Sequence, residues 1–500
     1  MPNLTLSMIV KNEEKYLKDC LKSVKEIADE ILIVDTGSTD KTIEIANEFG
    51  AKIFHFNWIN DFSAARNFGL SKSSGNWILY LDADERISDD SIEKLKTIIS
   101  SNENLGVKCS VISLDDKKGI SQSMKYTRLF RNNISISFSG KVHEQIEKSL
   151  INNNFKIIDS EIIIYHHGYN VSKSELKIKA QRNLDLLMDE YKNNKSSYNA
   201  YQIGNTYLIL EDLLNSIKFF NEALLDKRLN REFKSVCYLQ LADFEMRNNN
   251  LLAAKNYIDK GMEINPNQTL LNIIAAQVHS KLNDKKSVKF CKHALKSNSE
   301  NKLKLNPESE QEIFADEKKI IYEGILISIQ FKDQDAQNYF LNKLYEINKE
   351  ETKFLKRIIG SNISNDEILY LANLIDENNI DNYLKFIGQI NINELKLELY
   401  SNLYNRFSNN TKYLNDFGAF LLSINQINEA KIIFESALNN NDYEDSIIFY
   451  LASIYVNSND LEKLKRLLNI VGNKFLSNSI PSQSKEKFKI LVEKISPILF

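Results

Sequence analysis

Two carboxylates one residue apart, Asp82-Ala83-Asp84, follow the apolar run Trp77-Ile-Leu-Tyr-Leu. Such a run reads as a buried strand, so the pair emerges at the strand's carboxyl end. In an open α/β sheet, ligands bind beyond the carboxyl ends of the strands. Carboxylates are hard oxygen donors that suit Mg²⁺ or Mn²⁺, and such an ion can grip a diphosphate. The same residues also read as an acidic turn before a helix, since Ser88-Asp89-Asp90 follows with the look of an N-cap. Asp-x-Asp alone does not separate the two readings; its neighbours do.

Val10-Lys11-Asn12-Glu13-Glu14 ends one strand and Asp35-Thr-Gly-Ser-Thr-Asp40 ends another, on the same sheet edge as Asp82. Asp35 can accept hydrogen bonds from a uracil N–H or a ribose hydroxyl, and Gly37 permits close backbone approach. Ser38 and Thr39 open a helix whose free N–H groups favour anions. The plainer reading is a strand-to-helix turn with a hydroxyl cap. Arg66 lies about one turn past Asp61, so both can face one side. It can pair with a diphosphate, fix an aspartate that holds the nucleotide, or form only an exposed helix-face ion pair. Further on come Arg128-Leu-Phe-Arg131, Gly140-Lys-Val-His143-Glu144 and Tyr165-His166-His167-Gly168-Tyr169. His143, His166 and His167 stand beside glycines at strand ends, and His55 lies on a strand.

The elements that must position these residues alternate. Strands are expected at 4–10, 31–35, 52–56 and 77–82. Helices are expected at 14–27, at 39–49 and from an Asp61 N-cap towards Lys72. That alternation implies a mainly parallel sheet flanked by helices. From about Val171 the strands vanish. A helical bridge at 174–191 leads into helices joined by short Asn/Asp-rich turns. There a spacing recurs: Gly204, Ser216, Phe220, Ala223; then Ala242, Ala254, Ile258, Gly261; then Ala275, Ser287, Cys291, Ala294. It returns at Gly418, Ala430, Phe434, Ala437 and more weakly at Ala452, Leu464, Leu468, Val471. A period of ~34 residues with small, small, large, small residues is the tetratricopeptide pattern. Small residues let paired helices approach, and stacked repeats form a solenoid with a concave face. The stretch 301–411 reads as helical without a readable phase.

Composition narrows the class. A formal net charge of −3 over 500 residues makes no electrostatic case for nucleic acid as a partner. Four scattered cysteines lack metal-like or disulfide-like spacing, which suits a reducing cytoplasm. No basic, apolar leader is visible at Met1. No run approaches the roughly 20 apolar residues of a membrane helix. A cytoplasmic protein without a membrane span is expected.

The string from Ser7 to Asp84, with Lys-Asn-Glu-Glu, Asp-Thr-Gly-Ser-Thr-Asp, Asp-Phe-Ser-Ala-Ala-Arg-Asn and Asp-Ala-Asp-Glu, resembles family 2 glycosyltransferases of the GT-A fold. With Arg-Leu-Phe-Arg, Gly-Lys-Val-His-Glu, His-x-Gly-Tyr and the helical repeats, the chain is similar to peptide S-glycosyltransferases of the sublancin type and to their tetratricopeptide-bearing relatives. The likeness is strong over about residues 3–190; the repeats match only in kind. It implies an α/β GT-A domain, Rossmann-like with a mainly parallel sheet, at 1–170. A linker helix at 171–196 and an all-α tetratricopeptide-like superhelix at 197–500 follow.

The resemblance also implies roles. Asp35 and the loop Val10, Lys11, Asn12 would bind base and ribose, with Ser38, Arg66 and Ala83 in the same nucleotide-sugar site. Asp82 and Asp84 would address ribose, metal and diphosphate. His166 holds the His-x-Gly-Tyr position and would be a further metal ligand; His167 is a departure that leaves the choice of histidine open. Glu144 would be the general base. The implied activity is inverting, Mn²⁺- or Mg²⁺-dependent transfer from a nucleotide-diphosphate sugar, such as UDP-GlcNAc or UDP-glucose, to a Ser/Thr or Cys side chain of a protein or peptide. The repeats would present that acceptor or join two copies in a homodimer. Rival readings are transfer to a cell-envelope glycan or lipid, nucleotidyl transfer, and a non-catalytic scaffold with a decayed transferase domain. The sugar, the acceptor and the linking atom stay open.

Overall fold

The computed structural model describes residues 3–115, 120–167, 173–227, 229–304, 311–359, 372–373, 375–377, 379–390, 392–440, 443–476 and 488–495. Gly168 and Tyr169 of the His-x-Gly-Tyr motif lie outside them. The chain divides into two compact units, 1–320 and 321–500.

In the first unit, strands β1 (Leu4–Val10), β2 (Glu30–Asp35), β3 (Lys52–His55) and β4 (Trp77–Tyr80) pair in parallel in the order β3-β2-β1-β4. Their apolar runs are near-continuous because helices cover both faces of a parallel sheet; Leu4, Leu6, Met8, Leu32, Ile33 and Val34 are all buried. Helices α1 (Leu17–Val24), α2 (Thr42–Glu48) and α3 (Phe62–Lys72) connect them. Helix α1 buries Leu17, Cys20, Leu21 and Val24, the spacing of a single helical stripe. Asp61 caps α3 as expected, its side chain accepting from Ala64 N at 2.9 Å.

The chain continues through β5 (Glu85–Ile87), α4 (Ile92–Ile99), β6 (Leu105–Asp115), β7 (Ile120–Arg131), α5 (Glu147–Asn152) and β8 (Lys156–His166). These strands extend the same sheet past β4 in the order β7-β6-β8-β5. Here the expectation of a mainly parallel sheet gives way to a mixed one. Consecutive β6 and β7 form a long antiparallel hairpin, as strands joined directly must. Strand β7 also runs antiparallel to β4, and β5 antiparallel to β8, while β6 and β8 are parallel.

Helices α6 (Lys173–Asn193), α7 (Ser197–Ile209), α8 (Leu213–Leu224), α9 (Arg231–Arg247), α10 (Leu251–Ile264), α11 (Thr269–Lys281) and α12 (Lys286–Lys304) follow. Strands do not end at 171 as the sequence suggested. Strand β9 (Gln311–Phe314) returns from the helical region and pairs antiparallel with β7, Ser121 opposite Phe314 and Met124 opposite Gln311. The reason is length: β4 covers only 129–131 of the long strand β7, and an open strand edge recruits a partner.

The helical spacing stands. A Cβ on Gly204 would come within 2.8 Å of the Phe220 ring, and Ser216 Oγ donates to Gly204 O at 2.9 Å. Ala242, Ala254 and Ile258 share one core, and Ala275, Ser287, Cys291 and Ala294 are buried. In the second unit Gly418 receives Phe434 in the same way. Gly324 and Phe340 repeat the contact inside the stretch whose phase the sequence did not disclose. The helical region is tetratricopeptide-like. No helix of the described residues is long and apolar enough to cross a membrane.

Candidate active site

At the carboxyl edge of β1 and β2 the two loops lock into each other. Asn12 adopts a left-handed backbone, φ 57°, tolerated by Asn. Its side chain accepts from Thr39 N at 2.7 Å, and its own N–H donates to Ser38 Oγ at 3.0 Å. Asp35 is almost fully buried; it accepts from Ser38 N at 2.9 Å and meets His55 Nδ1 at 3.2 Å. Burial raises the Asp35 pKa, but the Ser38 and His55 hydrogen bonds outweigh it and leave the group below its ordinary value. Val10 is buried and its carbonyl is taken by Thr36 N. Lys11 and Asn12 are exposed.

Asp82 follows β4 and is seized by two arginines. Arg66 Nη2 from α3 donates to Asp82 Oδ1 at 2.7 Å, and Arg128 Nη2 from β7 lies 3.6 Å from Oδ2. Both guanidiniums rest over the Tyr80 ring, 4.8 Å and 4.5 Å from its centroid. Burial works against the Asp82 charge, but the two cations prevail and hold the carboxyl well below the usual range. Arg66 is buried, not an exposed helix-face partner, and its Nε also pairs with Glu144. Arg128 forms a second pair with buried Glu85 at 2.5 Å. The small Ala83 is buried, and the chain turns there.

Asp84 points to another group. Its carboxylate is 3.4 Å from His166 Nε2, and His166 Nδ1 meets Ser113 Oγ at 3.0 Å. Burial lowers the His166 pKa, but the Asp84 hydrogen bond and charge more than offset this and raise it. His167 touches Asp84 through its backbone N–H, at 2.9 Å from the Asp84 carbonyl. Glu13 joins the acidic cluster. Burial, then Asp84, push its pKa up to about 7 against the pull of Lys179.

The structure thus brings Asp82, Arg66 and Glu144 into one network and Asp84 and His166 into another. Asp35, Ser38 and Asn12 form a third. Among the described residues no three His, Cys, Asp or Glu side chains converge as a ready cation cage. Asp84 and His166 are the donors that fit a divalent ion, one hard oxygen and one imidazole; the Asp82 oxygens are turned to the arginines. Tyr80, Glu85 and Ser113 were not singled out from the sequence as site residues, and Arg128 and Glu13 stood inside quoted motifs with no role assigned to them. The available signal was a charge at Arg128 directly before the apolar pair Leu129-Phe130.

Comparison with known proteins bears on this site. A family model described as glycosyl transferase family 2 matches residues 5–164. Residues 5–164 are a family 2 glycosyltransferase domain. A TPR repeat-containing protein of Synechococcus elongatus is 31% identical over 263 residues, covering 51% of this chain and 64% of the relative. The SPbeta prophage-derived glycosyltransferase SunS of Bacillus subtilis is 34% identical over 190 residues, 37% of this chain and 44% of SunS. The solved structure of S. aureus TarS 1-349 aligns at 14% identity, with a TM-score of 0.27, over 51% of this chain and 89% of that one. This chain thus spans less than two thirds of those first two curated relatives. Residues 5–164 carry the site residues named above apart from His166 and His167, which follow directly at the end of β8.

Proposed function

We propose that the protein transfers a sugar from a nucleotide-diphosphate donor to a side chain of a protein or peptide, with inversion. The observation that carries this is the double network at the end of β4: Asp82 between Arg66 and Arg128, and Asp84 on His166, on the same sheet edge as the Asp35–Ser38 loop. Asp35, Ser38 and the loop Val10–Asn12 take base and ribose. Arg66 and Arg128 keep Asp82 ionised and aimed, so it accepts a ribose hydroxyl in fixed geometry. Asp84 and His166 are the residues to hold Mn²⁺ or Mg²⁺, which when bound neutralises charge on the leaving diphosphate. Glu144, fixed by Arg66, removes the proton from the acceptor hydroxyl or thiol as it attacks the anomeric carbon.

The tetratricopeptide-like helices favour a polypeptide acceptor over a glycan or lipid, because repeat arrays offer extended concave surfaces. The second compact unit also leaves a homodimer open to measurement by light scattering. Four buried free thiols fit a reducing cytoplasm, where such donors are made. Glu144→Gln keeps the size and most hydrogen bonds but removes the base. Turnover of UDP-glucose or UDP-GlcNAc should fall by about 10²–10⁴, with binding of UDP kept. Wild-type turnover by this variant would remove Glu144 from the mechanism.

A further inference from the structure

The turn that carries Glu144 is not held by the transferase domain alone. Residues Ser139 and Gln145 close it with a pair of backbone hydrogen bonds of 3.0 and 2.8 Å. Inside it, Gly140 has φ 100° and His143 φ 54°. A left-handed conformation at a histidine is costly and persists only where surroundings enforce it. The positive φ is what requires glycine at Gly140, since a Cβ there would meet Glu144 Cα only at an ordinary contact distance of 3.6 Å.

The enforcement comes from beyond residue 170. Lys141 N donates to Glu190 Oε2 of α6 at 2.9 Å, and Lys141 Nζ reaches Asp189 at 2.5 Å. Glu190 is in turn fixed by Asn199 Nδ2 of α7 at 3.2 Å. On the other flank, Gln145 Nε2 donates to Tyr198 Oη of α7 at 3.2 Å, and Gln202 Nε2 donates to the same oxygen at 2.8 Å. The Tyr198 ring packs 5.7 Å from Phe233 of α9. Burial, and the nearby charge of Glu144, push the Tyr198 phenol up to about 12, so it stays a neutral partner at working pH. Phe62 N of α3 binds Lys141 O at 2.9 Å from the transferase side. The turn is therefore gripped between the transferase domain and the first helices that follow it.

We propose that Glu190 and Tyr198 are positioning residues for Glu144, so that α6 and α7 complete the transferase site. The inference rests on the reading of Glu144 as the base, and deepens it. Removing the Glu190 acceptor frees Lys141 N and lets a strained turn relax. A shift of about 1 Å in a catalytic group costs on the order of 10²-fold in rate.

The test uses the full chain with UDP-GlcNAc and Mn²⁺, following release of UDP and the melting temperature with and without UDP. Glu190→Ala and Tyr198→Phe should lower kcat about tenfold to a hundredfold while the donor KM and the UDP-induced melting shift stay at wild type. Glu190→Gln, which keeps an oxygen for Lys141 N, should recover most of the Glu190→Ala loss. Wild-type kcat in both Glu190→Ala and Tyr198→Phe would overturn the proposal. So would a loss that Glu190→Gln fails to restore, or one matched by loss of UDP binding, since a merely structural role gives those results. Failure of the base reading is separate: it shows as unchanged turnover in Glu144→Gln.

Discussion

At the scale of single residues, the least replaceable group is Arg128. It serves two carboxylates, Asp82 and the buried Glu85. Burial already pushes the Glu85 carboxyl up to about 7 with Arg128 beside it, so Arg128→Met strips it of its cation and forces it to take up a proton or stand as an unpaired charge in the core of the sheet. Breaking a buried pair from one side costs about 3–5 kcal/mol, to be read from urea unfolding. The double variant Arg128→Met, Glu85→Gln removes the stranded charge and should regain most of that stability. It should not regain donor turnover, because Asp82 still lacks one of its two guanidiniums. Recovery of both together would show Arg128 to be a support of the sheet only.

Glu13 tests the same electrostatics through pH. Its native pKa of about 7 lies above the ordinary 4.5. Between those values the native state binds more protons at this site than the unfolded chain. Stability therefore falls as pH rises through that window and is level above it. Glu13→Gln should remove the effect, raising stability above pH 7 by on the order of 1–2 kcal/mol once solvent screening is allowed for. Near pH 4.5 the two proteins should melt together. Measured in a chelating buffer, an equal offset at every pH would mean that Glu13 titrates normally.

At the scale of elements, the repeats depend on a few atoms. Gly204 leaves no room for a side chain against Phe220. Gly204→Leu should cost about 1–3 kcal/mol by overpacking, with a lowered melting temperature. The companion Gly204→Leu, Phe220→Ala should recover part of it if the clash is the cause. This contact was legible in the sequence, because small residues opposite a large one recur at fixed offsets. The short parallel strands were legible for a related reason: a strand buried on both faces has nothing but apolar residues to show, as Ile31-Leu-Ile-Val does. Strands β6 and β7 hid themselves. Their runs, such as Ile120-Ser-Gln-Ser-Met-Lys-Tyr-Thr-Arg128, mix polar and apolar residues, because β7 carries buried Lys125, Thr127 and Arg128 to partners on other elements. Strand β9 is four residues long and flanked by helices, so no window of sequence isolates it. The aspartates at strand ends were visible as a pattern. Arg66 was readable as a residue able to fix an aspartate and His166 as a partner of the acidic pair, but which aspartate each takes, and the hold of Arg128, was not, since they reach Asp82 and Asp84 from 16, 82 and 46 residues away.

At the scale of the whole molecule, two compact units imply two cooperative transitions. Every residue assigned to donor or metal lies in the unit 1–320, so linkage makes a sharp prediction. UDP with Mn²⁺ binds only the native form of that unit and should raise its melting transition alone. At a ligand concentration one hundred times Kd the gain is about 2.7 kcal/mol. The transition of 321–500 should not move. Asp84→Ala should abolish the part of the shift that needs Mn²⁺, because it removes the oxygen donor beside His166, while a smaller metal-free shift from UDP at the Asp35–Ser38 loop remains. Scanning calorimetry of the full chain resolves these parts. A Mn²⁺-dependent shift that survives Asp84→Ala would place the ion elsewhere. Movement of both transitions together would mean that residues 321–500 share in the donor's linkage.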